Sequence, residues 1–147
     1  MKNELLKICF DKLNIKINAL QLQINDLKEE LENETKSSVG DKYETTRAMV
    51  QIEIEKLIKQ LQNFQSSKNK LKLLPVDTTG NVVGPGNIVK TNKYNYFIAE
   101  SIGEVSLSNQ NYFVISPMAP IAKALIGKSV GDEVNFNTNQ FKIIDFN

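Results

Sequence analysis

The sequence predicts an α+β protein: an N-terminal antiparallel α-helical coiled-coil hairpin, followed by a small antiparallel-sheet domain with one helix. Two heptad patterns occupy the first half of the chain, and a short polar segment around Gly40 separates them. After Pro75 the chain consists of short β-branched and aromatic segments between Gly and Pro residues. These observations place the hairpin at residues 1–70, a linker at about 67–76 and the second domain at residues 77–147.

The first helix is predicted by apolar residues that alternate between spacings of four and three, which is the pattern of a coiled-coil seam. A seam of this length predicts one helix of about 30 residues, roughly 45 Å long. Three further apolar residues widen the stripe beyond a two-helix seam. The seam residues are Leu6, Phe10, Leu13, Ile17, Leu20, Ile24, Leu27 and Leu31, and the additional ones are Ile8, Ile15 and Leu22.

The second helix repeats the same alternation after a turn near residues 34–47. Residues 37–40, Ser-Ser-Val-Gly, interrupt both helix propensity and heptad phase, which disfavours one long helix in a dimeric coil. Two heptad helices joined by a short polar segment favour an antiparallel hairpin. The seam of the second helix consists of Tyr43, Arg47, Val50, Ile54, Leu57, Leu61 and Phe64.

The C-terminal half predicts one short helix on a curved antiparallel sheet. Ser116 as N-cap, Pro117 at the first helical position and Gly127 as the C-terminal glycine delimit a helix over residues 116–127. We interpret most of the aromatic residues of this half as core. Segments rich in β-branched and aromatic residues predict strands at 87–91, 94–101, 104–108, 112–115, 134–136 and 141–146.

The composition excludes several kinds of active site. The chain of 147 residues has no histidine, and Cys9 is its single cysteine. A zinc site of the chain's own and a Ser-His or Cys-His nucleophile are therefore excluded, and a bound metal would be a hard ion such as magnesium on carboxylates. The lone cysteine, and the lack of an apolar run long enough for a signal peptide or membrane span, predict a cytoplasmic protein without a membrane partner.

Charge is distributed unevenly along the hairpin, although the whole chain carries only +1. Residues 1–18 and 56–72 together hold nine lysines and two acids, whereas residues 26–44 hold seven acids and three lysines. The base of the hairpin is therefore predicted to be basic and its tip acidic. We expect Glu29, Glu30, Glu32 and Glu34 to form a solvated helix face.

The segment Ile-Ser-Pro-Met-Ala-Pro-Ile-Ala-Lys-Ala-Leu-Ile-Gly-Lys-Ser-Val-Gly-Asp-Glu-Val at residues 115–134 resembles the C-terminal domain of the Gre family of bacterial transcript cleavage and elongation factors. Its Ser-Pro, Ala-Leu-x-Gly-Lys and Gly-Asp-x-Val elements stand in the order found in that family. The N-terminal helical hairpin with a Gly-Asp-x-x-Glu turn at residues 40–44 is similar to the family's other half, so that the resemblance covers nearly the whole chain.

The resemblance implies an FKBP-like C-terminal domain that docks on the rim of the secondary channel of bacterial RNA polymerase, with the coiled coil inside the channel. It implies that Asp41 and Glu44 help to hold a second magnesium ion at the polymerase active centre, where backtracked nascent RNA is cleaved. Such a factor has no intrinsic cofactor and no active site of its own; its partners are the polymerase and the nascent RNA of the elongation complex, and DNA binding is implied with them. The docking residues implied are Ser116, Pro117, Met118, Ala119 and Ile121.

Alternative interpretations remain at the tip. Asp41 and Glu44 also match a capping box at the start of a helix, where both acids suit the positive end of the helix dipole. Tyr43 and Arg47 resemble the Tyr-x-Ala-Ala-Arg run of the family, and that match would place the family's acidic pair in a stretch that this chain lacks. The sequence therefore also allows a channel-binding regulator that does not promote cleavage. A third hypothesis is a stand-alone interaction or peptidyl-prolyl isomerase module.

Overall fold

The computed structural model describes the backbone of residues 1–36, 40–75, 77–78 and 80–147, and the side chains of the same residues apart from 34–43. Residues 13–68 form one compact unit, and residues 1–12 together with 69–147 form another. The elements in chain order are α1 (Lys2–Lys36), α2 (Gly40–Lys72), β1 (Ile88–Thr91), β2 (Asn95–Ile98), β3 (Gly103–Leu107), β4 (Gln110–Ile115), α3 (Pro120–Leu125), β5 (Glu133–Phe136) and β6 (Asn139–Phe146).

In the unit of residues 13–68, the predicted heptad seam forms the packed interior of a two-helix hairpin. Leu20 and Ile24 of α1 and Ile54 and Leu57 of α2 form one buried cluster. Only residues 37–39 separate the two helices, so two helices that share this seam run antiparallel. At one end of the seam the Lys16 ammonium lies 5.3 Å from the centre of the Phe64 ring, a cation–π contact. The predicted hairpin is therefore confirmed.

The apolar residues that widen the stripe do not contribute to this interior. Ile15 and Leu22 are 69% and 63% exposed, although each lies only two residues from a seam residue in sequence. A two-helix hairpin buries only one narrow stripe of each helix, and these two side chains fall outside it.

α2 ends later than the sequence indicates. It continues to Lys72 through a weak segment, Ser-Ser-Lys-Asn-Lys at 66–70, and so occupies part of the range expected to be linker. Leu71 in its last turn is only 2% exposed, and burial of this side chain outweighs the poor helix propensity of the preceding residues.

The other unit is built on six strands in the order β3-β4-β2-β1-β6-β5. The sheet was expected to be antiparallel, but β2 and β4 pair in parallel, so the prediction is corrected to a mixed sheet. The reason is topological. β3 and β4 form a tight hairpin through Ser108 and Asn109, both with positive φ, and the second strand of that hairpin rather than the first pairs with β2.

Both faces of this sheet are buried. On one face Tyr96, Ile98 and Phe141 pack with Ala122 and Leu125 of α3. On the opposite face the register pairs Ile88 with Phe97, Phe97 with Val114, and Val105 with Tyr112. These residues are at most 3% exposed.

The N-terminal end of α1 lies over this second face. The Tyr112 hydroxyl donates to Met1 Sδ at 3.3 Å, and Lys12 Nζ donates to the Glu104 carbonyl oxygen at 3.1 Å. Leu5 and Cys9 of the same helix segment are completely buried. The first turns of α1 thus belong to the core of the sheet unit and not only to the hairpin.

Gly86 is expected to be a sensitive position for stability. Its φ is +89°, and a Cβ added there would lie 2.5 Å from the Pro75 carbonyl oxygen. We expect Gly86→Ala to lower the free energy of unfolding by roughly 2–4 kcal/mol, because a left-handed backbone and a backbone clash act together. Gly131→Ala is the matched control: its φ is +90° but nothing lies within 4 Å, so only about 1 kcal/mol should be lost. Urea unfolding measures both, and equal losses would contradict the clash.

Cys9 is expected to be unreactive in the native protein. Burial raises the pKa of its thiol to about 11, against the opposing effect of the Lys12 charge. We expect iodoacetamide at pH 8 to label Cys9 roughly a hundredfold more slowly in the native than in the urea-unfolded chain, because the thiolate is the nucleophile.

The same shift makes stability depend on pH. The folded-state pKa lies above the ordinary 9.0, so the contribution to stability is present below pH 9 and is lost as pH rises to about 11. Cys9→Val lacks this titration and should lose less stability than the wild type over that interval. Parallel pH profiles of the two proteins would contradict the assignment.

Candidate functional site

The segment from Ser116 to Ile121 forms an exposed turn that leads into α3. The Ser116 hydroxyl oxygen accepts from the Met118 N–H at 3.1 Å, and its carbonyl oxygen accepts from the Ala119 N–H at 3.0 Å. The helix was expected to start with Ser116 as N-cap, but Ala119 occupies that position and α3 runs only from Pro120 to Leu125. Ser116 caps the turn instead, because its side chain bonds only two residues ahead and Pro120 supplies the first helical φ.

The five residues expected to dock a partner are contiguous on the surface of this turn. Met118 is 73% exposed, and Ser116, Pro117, Ala119 and Ile121 are half-buried. At the other end of α3, Gly127 has a φ of +89° and its N–H donates to the Val83 carbonyl oxygen, which fixes the helix end on the sheet unit. The turn is thus presented by a short helix that is anchored at its end.

A depression of about 300 Å³, here called the apolar groove, lies beside this turn. None of its lining residues is charged, and Ile121 of the turn contributes one wall. Its lining residues are Tyr94, Tyr96, Phe113, Ile115, Ile121, Phe136, Asn139 and Phe141. A concave apolar surface of this size with a single amide is typical of a site for a small apolar group of a ligand or partner.

The aromatic side of the groove was not recognised as surface in the sequence. Tyr94 was expected to be core, but it is 46% exposed. Its ring makes edge-to-face contacts with Phe113 at 5.6 Å and Tyr96 at 6.3 Å between centroids. Desolvation raises the pKa of Tyr96, and the neighbouring Tyr94 adds to that shift. A signal was present in the alternation Tyr-Asn-Tyr at 94–96, which places both tyrosines on one face of the strand.

The turn between β1 and β2 holds Tyr94 in place. The Thr91 hydroxyl donates to the Tyr94 carbonyl oxygen at 2.6 Å and accepts from the Tyr94 N–H at 2.9 Å. Asn92 pairs with Lys142 of β6 through its backbone N–H and its side-chain oxygen, at 3.1 and 2.8 Å. Hydrogen bonds within the turn and to β6 therefore determine the position of a turn of only a few residues.

Of the two carboxylate side chains implied as metal-supporting residues in the hairpin, the structure describes only one. Glu44 lies near the start of α2 and is exposed, whereas the side chain of Asp41 lies outside the described residues. The same holds for Tyr43 and Glu34, while Glu29, Glu30 and Glu32 are exposed as expected for a solvated face. Within the described part of the chain, no group of three or more His, Cys, Asp or Glu side chains could hold a metal ion. The metal role of Asp41 and Glu44 remains a prediction.

Among the helices that the structure describes, none is long and apolar enough to cross a bilayer.

Comparisons with known proteins agree with the motif at residues 115–134. The family model described as the C-terminal domain of the transcription elongation factors GreA/GreB matches residues 78–147, the whole sheet from β1 to β6. A solved structure titled "Structure of the transcription factor Gfh1" is 16% identical, covers 93% of this chain and 92% of that chain, and superposes with a TM-score of 0.38. No curated protein matches the chain. The sheet domain of residues 78–147 is thus similar to the C-terminal domain of the GreA/GreB transcription elongation factors.

Proposed function

We propose that the protein binds bacterial RNA polymerase, inserts its helical hairpin into the secondary channel and stimulates cleavage of backtracked RNA. The observation that carries this proposal is that a GreA/GreB C-terminal domain stands on the same chain as an antiparallel helical hairpin. In this proposal the sheet domain binds the polymerase, the hairpin reaches the active centre, and nascent RNA is the substrate. The protein is an accessory factor and acts on the RNA only through the polymerase.

Asp41 and Glu44 are the residues proposed to act at the polymerase active centre. Magnesium keeps several of its waters and takes only one or two protein carboxylates in such sites, so an acidic pair is a sufficient contribution from the factor. The exposed carboxylate of Glu44 is accessible for this role. When bound, the ion supplies the second cation of two-metal phosphodiester chemistry. The capping role of the same two residues is compatible, because a carboxylate that accepts one backbone N–H retains further lone pairs.

The turn at residues 116–121 and the apolar groove beside it are proposed to bind the polymerase. Met118 projects into solvent, and methionine adapts well to the surface of a partner because its side chain is unbranched and polarizable. Ile121 links the turn to the groove, so an apolar side chain of the polymerase could enter the groove while its backbone contacts the turn. Ser116, Pro117 and Ala119 hold the shape of the turn.

A second candidate function is a channel-binding regulator that does not promote cleavage. The spacing of Tyr43 and Arg47 favours it, because that match to the family leaves no equivalent of the acidic pair. Both candidates require polymerase binding and differ only in what the hairpin tip contributes.

The cleavage role is tested with reconstituted, backtracked elongation complexes and a gel assay for the short RNA released. We expect the wild type to release it and Asp41→Asn/Glu44→Gln to release it at least tenfold more slowly. These two substitutions retain the capping hydrogen bonds while they remove both charges, so helix stability is not the cause. Glu53→Ala/Glu55→Ala, which removes two exposed acids of the same helix, is the control.

The two candidate functions give different results in that assay. Wild-type protein that binds the polymerase but releases no RNA beyond the level without factor would refute cleavage stimulation and support the regulator. Wild-type protein that does not co-purify with core polymerase would refute both candidates and support the stand-alone interaction or isomerase module.

The docking surface is tested by placing a charge on it. We expect Met118→Asp to weaken binding to core RNA polymerase by about tenfold or more, because truncation or charging of a central contact commonly costs over 1 kcal/mol. Met118 is 73% exposed, so the fold should tolerate the change. Val130→Asp, at a 56% exposed position of the same domain, is the control and should bind as the wild type does. Equal affinity of Met118→Asp and wild type would remove Met118 from the interface.

A further inference from the structure

A second depression of the sheet unit, here called the polar hollow, has a volume of about 370 Å³. It shares the rings of Tyr94 and Phe113 with the apolar groove, but its remaining lining is polar. Lys93 and Asn95 come from the β1–β2 turn and β2, Glu104 from β3, and Gln110 and Asn111 from β4. Its volume falls within the range of about 300–1,000 Å³ that small-ligand sites occupy.

Tyr94 gives the polar hollow an ordered aromatic wall. Tyr94 is 46% exposed, its ring packs edge-to-face against Phe113, and the hydrogen bonds of Thr91 hold its backbone. Part of the entropy of ordering the ring is therefore lost before a ligand binds. A rigid aromatic face that is open to solvent is a platform on which a planar ring can stack.

Hydrogen bonds orient the amides of the polar hollow and leave a donor and an acceptor available to a ligand. The Ser106 hydroxyl donates to Asn111 Oδ1 at 2.7 Å, and Asn95 Nδ2 donates to the Asn111 carbonyl oxygen at 3.4 Å. Within the part of the chain that the structure describes, the Asn111 amide N–H groups and Asn95 Oδ1 have no further hydrogen bond. The site therefore offers both a donor and an acceptor, which is the combination that the edge of a purine base requires.

The two charged residues of the polar hollow suit the remainder of a nucleotide. Lys93 supplies an ammonium group for a phosphate, and the Glu104 carboxylate can accept from ribose hydroxyl groups. An aliphatic ligand would displace water from these polar groups without replacing the hydrogen bonds of that water, which disfavours it. The chemistry thus favours a ligand that combines a planar heterocycle, hydroxyl groups and one anionic group.

We propose that the polar hollow binds a purine nucleotide, with the base stacked on Tyr94 and its edge bonded to Asn95 and Asn111. The nucleotide is either free or part of single-stranded RNA, since both present the same base, ribose and phosphate. The site is open and formed by exposed side chains, so we expect a dissociation constant in the millimolar range. This inference does not depend on polymerase binding.

Amide-resolved NMR titration of the full chain tests the proposal. The probes are AMP, ribose 5-phosphate and a short oligoadenylate, and the variants are Tyr94→Leu and Asn111→Ala. Asn135→Ala is the matched control, because it removes an exposed amide of β5 at the other edge of the sheet. The spectrum of each variant also reports whether the fold is retained. Asn111→Ala changes an exposed side chain, so this variant still tests the site if Tyr94→Leu does not fold.

We expect AMP to cause saturable shifts at residues 93–95 and 104–113, and ribose 5-phosphate, which lacks the base, to cause none at residues 94, 95 and 111. Tyr94→Leu and Asn111→Ala should each weaken AMP binding about tenfold, while Asn135→Ala should not. Tighter binding of oligoadenylate than of AMP would assign the site to RNA, and equal binding per nucleotide would assign it to the free nucleotide. The proposal is overturned if AMP gives no saturable shifts, if ribose 5-phosphate gives the same ones, or if a folded Tyr94→Leu or Asn111→Ala variant binds AMP as the wild type does.

Discussion

The stability of the sheet unit depends on the burial of both apolar faces of the sheet, and only a few helical turns provide this burial. α3 has six residues and covers one face, so the opposite face would expose Phe97, Tyr112 and Val114 if nothing else lay on it. The first turns of α1 provide that cover, as the contact of Met1 with Tyr112 and the complete burial of Leu5 show. At about 25 cal/mol per Å² of buried apolar surface, these few side chains contribute several kcal/mol to the stability of the unit. The N-terminal residues are therefore part of the C-terminal fold.

A polar network connects the same helix end to the loop that precedes β1. Lys2 Nζ donates to Thr78 Oγ1 at 2.9 Å, and Asn87 Nδ2 donates to the same oxygen at 2.9 Å. The oxygen of the buried Asn87 amide in turn accepts from the Gly84 N–H at 2.7 Å. Desolvation lowers the pKa of Lys2, and the charge of Asp77 opposes that effect. A loop rich in Gly and Pro thereby acquires a defined path, which the close approach of Gly86 to Pro75 completes.

The candidate surface arises from what the core leaves uncovered on the α3 face. A short helix cannot extend over the whole of that face, so Tyr94 and Phe113 remain beside it and line a groove together with Ile121 of the helix. The sequence motif at 115–134 predicted the match to the GreA/GreB C-terminal domain and the turn correctly, because its punctuation by Ser, Pro and Gly is local. It placed the helix start three residues early, since Ser116-Pro117 and Ala119-Pro120 are both acceptable starts and only packing against the sheet selects the second.

The sequence by itself determined the heptad seams, the antiparallel hairpin, the resemblance of the second domain to the GreA/GreB C-terminal domain and most strand positions, because periodicity and turn chemistry are properties of neighbouring residues. Only the tertiary structure decided the parallel pairing of β2 with β4, the extension of α2 to Lys72 and the exposure of Tyr94. Each of these depends on a segment distant in sequence. The parallel pairing follows because β4 lies between β3 and β2. The extension of α2 follows because Leu71 is buried in the sheet unit, and Tyr94 is exposed because α3 does not cover it. Non-local burial therefore selected among arrangements that the local pattern left equally possible.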